Sequence, residues 1–432
     1  MTRTTIRIGA AALGVLLGVV ACHNDQLFLP YPNGPLDPLF TRYVSMGNSI
    51  TAGFQSAGLN DSTQLQSYAV LLARQAQTPF FVPLMARVTG ARGCPPPLDS
   101  LYTALGAPVP HRLDGATGST CALRRAQAVP PPYINNVAVP GAEVLDGVTN
   151  FGPGTNANPY TTFFLGGFTQ TQMMMKVDPT FVTVWLGNND VLGAVIDTAN
   201  AGNPAKVTDT TLFKAQYGAV LDSIALTGAR GGVLIGVANV TLIPFLTRGS
   251  KFYNVKFGSG ANDSIPGADP ANRKFPANFL VNPNCAPPQG DSILIPFARG
   301  AAVVAFARAN PLATVGVDCS DVHHISPAEF VVLTAAVKSY NTYISSQAAA
   351  RGYAYFDPNA LFTALPAGSV PVFPNIPSTG NSPAFAAAYT TPFGAFFSFD
   401  GIHPTAVSHK LVANALIAAI NAQYGSHIPA IP

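Results

Sequence analysis

Charge is scarce in this chain. Lys and Arg number 23 and Asp and Glu 20 among 432 residues, 10% of the sequence, for a net charge of +3. The basic residues form no run, which argues against nucleic acid as a partner. Hydrophobic residues make up 48%, so the charge-rich, apolar-poor disordered class is excluded. Beyond the N-terminus no uncharged apolar stretch approaches the ~20 residues of a membrane span. No Cys-x-x-Cys occurs, and among the cysteines after residue 22 only Cys319 has histidines close in sequence, His323 and His324. A structural zinc site therefore has little support. There is no internal repeat.

What the chain has in excess is glycine and proline, 39 of each, about 18% together against an average near 12%. Without a strict period this implies long ordered loops rather than collagen or a linker. A length prior of roughly 150 residues per domain allows one large domain or two to three ordinary ones.

The N-terminus reads as an address. Arg3 and Arg7 precede an uncharged, mostly apolar run from Ile8 to Ala21, about the length of a signal-peptide core. The run ends Val19-Val20-Ala21-Cys22 and resembles the lipobox of bacterial lipoproteins. That resemblance implies a signal peptide over residues 1–21, lipidation of Cys22 and a membrane partner through the N-terminal lipid. His23, not Asp, follows the cysteine, which in a Gram-negative cell points to the outer membrane. Residues 22–41 are proline-rich, without periodicity, and read as a tether.

Four cysteines remain, Cys94, Cys121, Cys285 and Cys319. An even number in an exported chain suggests disulfides. Of the three pairings, Cys94–Cys121 and Cys285–Cys319 are favoured, because each falls within one irregular insertion.

Strand and helix signals alternate along the rest. Tyr43–Met46, Ile134–Val139, Phe181–Leu186, Gly232–Ala238 and Tyr353–Phe356 read as strands, rich in β-branched and aromatic residues. Ser67–Gln77, Thr211–Thr227 and Pro404–Ala422 read as helices. Ser326-Pro327-Ala328-Glu329 combines an N-cap Ser, an N1 Pro and an N3 Glu, and opens a helix reaching about Arg351. This alternation predicts an α/β domain over residues 42–425, its parallel sheet covered on both faces. Residues 79–132 and 244–322 break the pattern and read as disulfide-stapled insertions.

Four short segments stand at strand ends, where open α/β sheets place their ligands. Gly47-Asn48-Ser49 puts a hydroxyl on a tight turn between strand and helix, which suits a nucleophile. Asp400-Gly401-Ile402-His403 puts a carboxylate three residues from an imidazole, as a base and its orienting acceptor need. Gly187-Asn188-Asn189-Asp190 and Pro140-Gly141 offer an amide and a glycine N–H, the donors an oxyanion needs. Each alone is also ordinary turn or capping chemistry.

Together, in this order, the four segments resemble the SGNH hydrolases, or GDSL esterase/lipase family. The resemblance spans about Arg42 to Ala422. It implies a flavodoxin-like three-layer α/β/α sandwich with a five-stranded parallel sheet. It assigns Ser49 as nucleophile, His403 as base and Asp400 as its partner. The oxyanion hole would be the Ser49 N–H, Gly141 and Asn189. It requires no cofactor and no metal. One departure is Asn48, where the family usually has Asp. Asp190 fits the family's Gly-x-Asn-Asp and ties down its loop.

The function implied is hydrolysis of carboxylic esters through an acyl-enzyme at the cell envelope, on a lipid, short acyl ester or acetylated glycan. The alternatives are a carbohydrate O-acetyl esterase of the same fold, or a non-catalytic envelope module that binds a glycan or partner. Other residues carry weaker signals. His323 and His324 read as a loop leading into a helix rather than a metal site. His111 is a candidate for the mouth of the site. Met173-Met174-Met175 reads as core. Phe393, Phe396, Phe397 and Phe399 crowd Asp400 as candidates for an acyl pocket, against the default of buried core.

Overall fold

The computed structural model describes residues 34–101, 110–125, 133–149, 158–197, 199–257, 275–366, 369–370 and 392–432. Cys22, the signal-peptide segment, most of the tether and parts of both insertions lie outside these residues. Among the described residues no helix is long and apolar enough to cross a membrane.

The central sheet is parallel. Its strands are β1 (Tyr43–Gly47), β2 (Phe181–Trp185), β3 (Gly231–Ile235) and β4 (Ala354–Phe356), side by side in that order. Tyr43 lies opposite Phe181, Phe181 opposite Gly231, and Ala354 opposite Val233. Side chains alternate across a strand, and here both faces are apolar. Tyr43, Phe181, Trp185, Val233, Ile235 and Phe356 enter one core; Val44, Met46, Val182, Val184 and Leu234 enter the other. Burying both faces is what parallel sheets require.

Helices cover each face. They are α1 (Ser49–Ala52), α2 (Tyr68–Gln75), α3 (Val144–Val148), α4 (Gln170–Val177), α5 (Asn189–Val195), α6 (Thr210–Ala225), α7 (Pro327–Arg351) and α8 (Ala406–Tyr424). The first core is closed by α2 and α8, the second by α3, α4, α6 and α7. Helix α7 starts where its sequence signal says. The Ser326 hydroxyl accepts from the Glu329 N–H and the Glu329 carboxylate accepts from the Ser326 N–H, satisfying two otherwise orphaned donors. It ends at Gly352, whose φ is +66°, the left-handed cap that glycine supplies at least cost.

Among the described residues the sheet has four strands, where five were expected. Segment Ile134–Val139 runs parallel beside β1: the Ser45 N–H donates to the Asn135 carbonyl at 2.9 Å, the Val137 N–H to the Ser45 carbonyl at 3.0 Å and the Val139 N–H to the Gly47 carbonyl at 3.1 Å, with one bridge between Ser45 and Asn136. The Asn135 and Asn136 N–H groups both turn away to the Phe81 carbonyl, at 2.9 and 3.0 Å. Asparagine is a poor strand former, and here its side-chain amides bind backbone as well. Asn135 Nδ2 donates to the Tyr43 carbonyl and Asn136 Nδ2 to the Thr51 carbonyl.

Cys94 is joined to Cys121 and Cys285 to Cys319, the favoured pairing. The region of the second insertion is more structured than an irregular loop. Leu246–Arg248 pairs antiparallel with Leu294–Pro296, and Phe279–Val281 pairs parallel with Val315–Val317. Helices Gly249–Phe257 and Phe297–Ala309 pack over them. Phe252, Phe275, Phe279 and Val304 form a separate small core that includes Cys285 and Cys319. Three-residue strands between Gly, Pro and Asn give too short a periodicity to register in the sequence.

Candidate active site

Ser49 is the first residue of α1, directly past β1. Asn48 caps the helix, its side-chain oxygen accepting from the Ile50 N–H at 3.1 Å. The Asn48 amide nitrogen is buried without a partner among the described residues. Gly47 lets the helix turn back tightly, since a Cβ there would stand 2.7 Å from the Thr51 Cβ. Ser49 itself is 7% exposed.

His403 brings the C-terminal end of the chain to this serine. Its Nε2 lies 2.8 Å from Ser49 Oγ, and its Nδ1 lies 2.8 Å from Asp400 Oδ2. The Phe54 ring flanks the imidazole, with centroids 4.8 Å apart. Asp400 is surrounded by donors. Its Oδ1 accepts from the His403 N–H, the Ile402 N–H and the Ser398 hydroxyl; its Oδ2 also accepts from the Ala57 N–H at 2.6 Å. Burial alone would raise this carboxyl. The charge of His403 and these hydrogen bonds outweigh burial and bring it down to about 2. Asp400 is thus an ionised acceptor that fixes one nitrogen of His403, leaving the other facing the serine hydroxyl. This arrangement can take a proton from Ser49 and later return it.

No protein-family model matches the chain, and no curated protein matches it. Solved structures do match. A single-residue variant of Axe2, an acetyl-xylooligosaccharide esterase from Geobacillus stearothermophilus, is 10% identical, with a TM-score of 0.33 over 88% of this chain and 93% of that chain. A catalytic mutant of the same acetylxylan esterase is 10% identical, with a TM-score of 0.34 and the same coverage. At that level of likeness the functional reading rests on the chain's own residues.

The remaining sequence-predicted residues meet at one cavity of about 610 Å³. Ser49, Gly141, Asn189 and His403 all line it. Gly141 has φ +76°, a conformation that turns the chain at Pro140 and that residues with a Cβ rarely adopt. Asn189 Nδ2 donates to the Ala142 carbonyl at 2.8 Å, which among the described residues leaves its second amide hydrogen free. Gly187 has φ +108°, and a Cβ there would stand 2.7 Å from Val237 Cγ2. Asp190 does not line the cavity. Its Oδ2 accepts from the Val144 N–H at 3.0 Å and ties α5 to α3. Full burial, with the Glu143 charge adding, pushes Asp190 up to about 7.

Several lining residues were not found from sequence. Asn158 donates to the Pro140 carbonyl at 2.9 Å and so fixes the turn that carries Gly141. Its signal was its place before Pro159 as a helix cap. Glu143 and Asp146 form a capping box at the start of α3 and also line the cavity, together with Tyr160, Leu145, Leu192 and Ile196. Burial raises both carboxyls, Glu143 further through Asp146. A second, apolar cavity shares Ile402 with the first and is walled by Ile50, Trp185, Leu361, Phe362 and Leu411, among others.

The weaker candidates separate. Phe396 and Phe397 line the apolar cavity, whereas Phe393 packs edge-on against Phe297, and Phe399 lines neither cavity. His111 is exposed, pairs with Asp99 at 2.7 Å and is not among the cavity walls. His323 pairs with Asp321 at 2.7 Å, and no group of three metal-ligating side chains occurs among the described residues. Met173 and Met174 are buried in the core, and Met175 is exposed. One histidine that sequence did not single out, His409, lies wholly buried in α8. It accepts from the Tyr68 N–H, and burial followed by the His403 charge pushes it down to about 3. It is a neutral packing residue rather than a second base.

Proposed function

We propose that the chain is a serine ester hydrolase of the SGNH type, cleaving carboxylic esters through an acyl-enzyme. The observation that carries this reading is the hydrogen-bonded series Ser49–His403–Asp400, with both links at 2.8 Å. Ser49 Oγ attacks the ester carbonyl carbon as its proton passes to His403 Nε2. The oxyanion that forms is held by the Ser49 N–H, the Gly141 N–H and the free amide hydrogen of Asn189. His403 then gives its proton to the departing alcohol, leaving the acyl group on Ser49. Water attacks the acyl-enzyme by the same route in reverse, releasing the acid and restoring Ser49.

The two adjoining cavities frame the substrate. The apolar one, with Phe396 and Phe397 in its wall, fits an acyl chain and favours lipid or short acyl esters. A second reading, an acetylated carbohydrate, is favoured by the polar wall of the catalytic cavity, where Glu143, Asp146, Asn158 and Tyr160 suit hydroxyl groups. For location, the Val19-Val20-Ala21-Cys22 segment supports export and a lipid anchor at the envelope, on the outer membrane in a Gram-negative cell. Replacing Cys22 with Ser would then release the protein from the membrane fraction.

The test uses the full chain, purified in detergent under oxidising conditions. It is assayed on p-nitrophenyl acetate, butyrate, octanoate and palmitate and on an acetylated oligosaccharide, beside Ser49→Ala and His403→Ala. Hydrolysis lost in both variants supports the serine mechanism, and the preferred ester decides between the two substrate readings. A folded protein that hydrolyses none of them sinks the esterase reading and leaves the binding module.

A further inference from the structure

Asp400 is held from outside its own loop. The Ala57 N–H donates to its Oδ2 at 2.6 Å. The Ser398 hydroxyl donates to its Oδ1, and the same Ser398 oxygen accepts from the Ser56 N–H at 2.8 Å. Ser56 and Ala57 have φ of 53° and 52°. Two successive non-glycine residues in the left-handed region are costly, and such strain persists only where the surroundings enforce it.

The first insertion does the enforcing. The Leu98 N–H donates to the Ser56 carbonyl at 2.8 Å. Arg112 Nη1 donates to the carbonyls of Ala57 and Pro96, both at 2.7 Å. Gly58 lies so close to the Pro95–Pro97 stretch that a Cβ would stand 2.5 Å from Pro97 Cα. Leu59 pairs with this stretch in both directions, donating to Pro95 and accepting from the Cys94 N–H. Cys94 is bonded to Cys121. Arg112 is partly buried, yet among the described residues it forms no salt bridge. Its guanidinium is used on neutral carbonyls, one of them belonging to a strained residue.

We infer that the Cys94–Cys121 insertion is a clamp that sets the position of Asp400 against His403. Arg112, Ser398 and the Ser56–Ala57 turn act in it as positioning residues. The inference rests on the esterase reading above. An arginine that merely glued two loops would affect stability alone. A clamp on the orienting carboxylate also affects how firmly the imidazolium is held during turnover.

The test compares the full chain with Arg112→Met, Ser398→Ala and the double variant Cys94→Ser/Cys121→Ser. Active protein is counted by a fluorophosphonate that labels the reactive serine, and kcat and KM are measured across pH. The expected result is a kcat lower by about ten- to a hundredfold with KM within about twofold. The pH profile of kcat also changes, because the carboxylate no longer holds the imidazole in one orientation. Arg112→Lys, which restores one hydrogen bond, gives an intermediate profile. An active wild type with variants that lose only melting temperature overturns the clamp alone; so does Ser398→Ala, the mildest change, with an unmoved profile. A wild type that hydrolyses no ester and takes up no fluorophosphonate overturns the esterase reading, and the clamp with it.

Discussion

Ser49 Oγ and His403 Nε2 stand 2.8 Å apart although 354 positions separate them in the chain. Strand β1 delivers the serine at one end of the fold's sequence, and the loop before α8 delivers the histidine at the other. The proposed chemistry depends on this contact. Ser49→Ala removes the atom that would carry the acyl group, and His403→Ala removes the base. Each is expected to lower kcat by about 10⁴-fold or more on any ester the wild type accepts. The melting temperature should change little for Ser49→Ala. A fluorophosphonate adduct located by peptide mass on another residue would disprove the assignment of Ser49.

Asp400→Asn is expected to act on rate and on acid stability together. The carboxyl is held near 2, below its unfolded value near 3.9. A depressed acid of this kind contributes stability that is present above the unfolded value and is lost as pH falls through the folded one. The window is therefore about pH 4 down to pH 2, and the contribution about 2–3 kcal/mol. Asn keeps the shape but cannot hold an imidazolium, so kcat should fall by roughly 10³–10⁴-fold. Denaturant melts of wild type and variant at pH 7 and pH 3 measure the stability part: the gap between the two proteins should shrink at pH 3.

Asp190 has the opposite sign. Its carboxyl is pushed up to about 7, by burial first and the Glu143 charge second. The folded chain binds this proton more tightly than the unfolded chain does. Its contribution is fully present below about pH 4 and is lost as pH rises to about 7, amounting to about 4 kcal/mol. Asp190→Asn should flatten that loss, leaving the variant relatively more stable at pH 8 than at pH 5 when both are compared with wild type. Urea midpoints at the two pH values measure this; equal differences at both would show that Asp190 is ionised throughout.

The site was more legible than its support. Ser49, Gly141, Asn189 and His403 each sit in a short motif at the end of an apolar run, so local pattern was enough to mark them. Ser326-Pro327-Ala328-Glu329 marked its helix for the same reason. The clamp left no such mark. Ala57 contributes a backbone N–H to Asp400 across 343 positions, and a backbone N–H has no residue signature. Arg112 acts on carbonyls brought near by a disulfide. Glu143 and Asp146 are cap residues first and cavity walls only because α3 starts there. Ile134–Val139, read as a strand, does bond to β1 through the Asn135 carbonyl and the Val137 and Val139 N–H groups, yet it is too short and irregular to count as a strand among the described residues.

The two disulfides should separate function from stability. Cys285–Cys319 closes a stretch of 34 positions within a small core of its own, and none of the described residues from 244–322 lines the catalytic cavity. Chain entropy then sets its value at about 3–4 kcal/mol. Cys285→Ser/Cys319→Ser should lower the stability of that region by this order while kcat and KM on the preferred ester stay within about twofold. Cys94→Ser/Cys121→Ser, whose loop of 27 positions has a similar entropic value, should lower kcat as well. Melting temperature and turnover measured on both double variants decide the matter. If the two lose activity in parallel, the effect is general loosening of the fold, and the special relation of the first insertion to Asp400 falls.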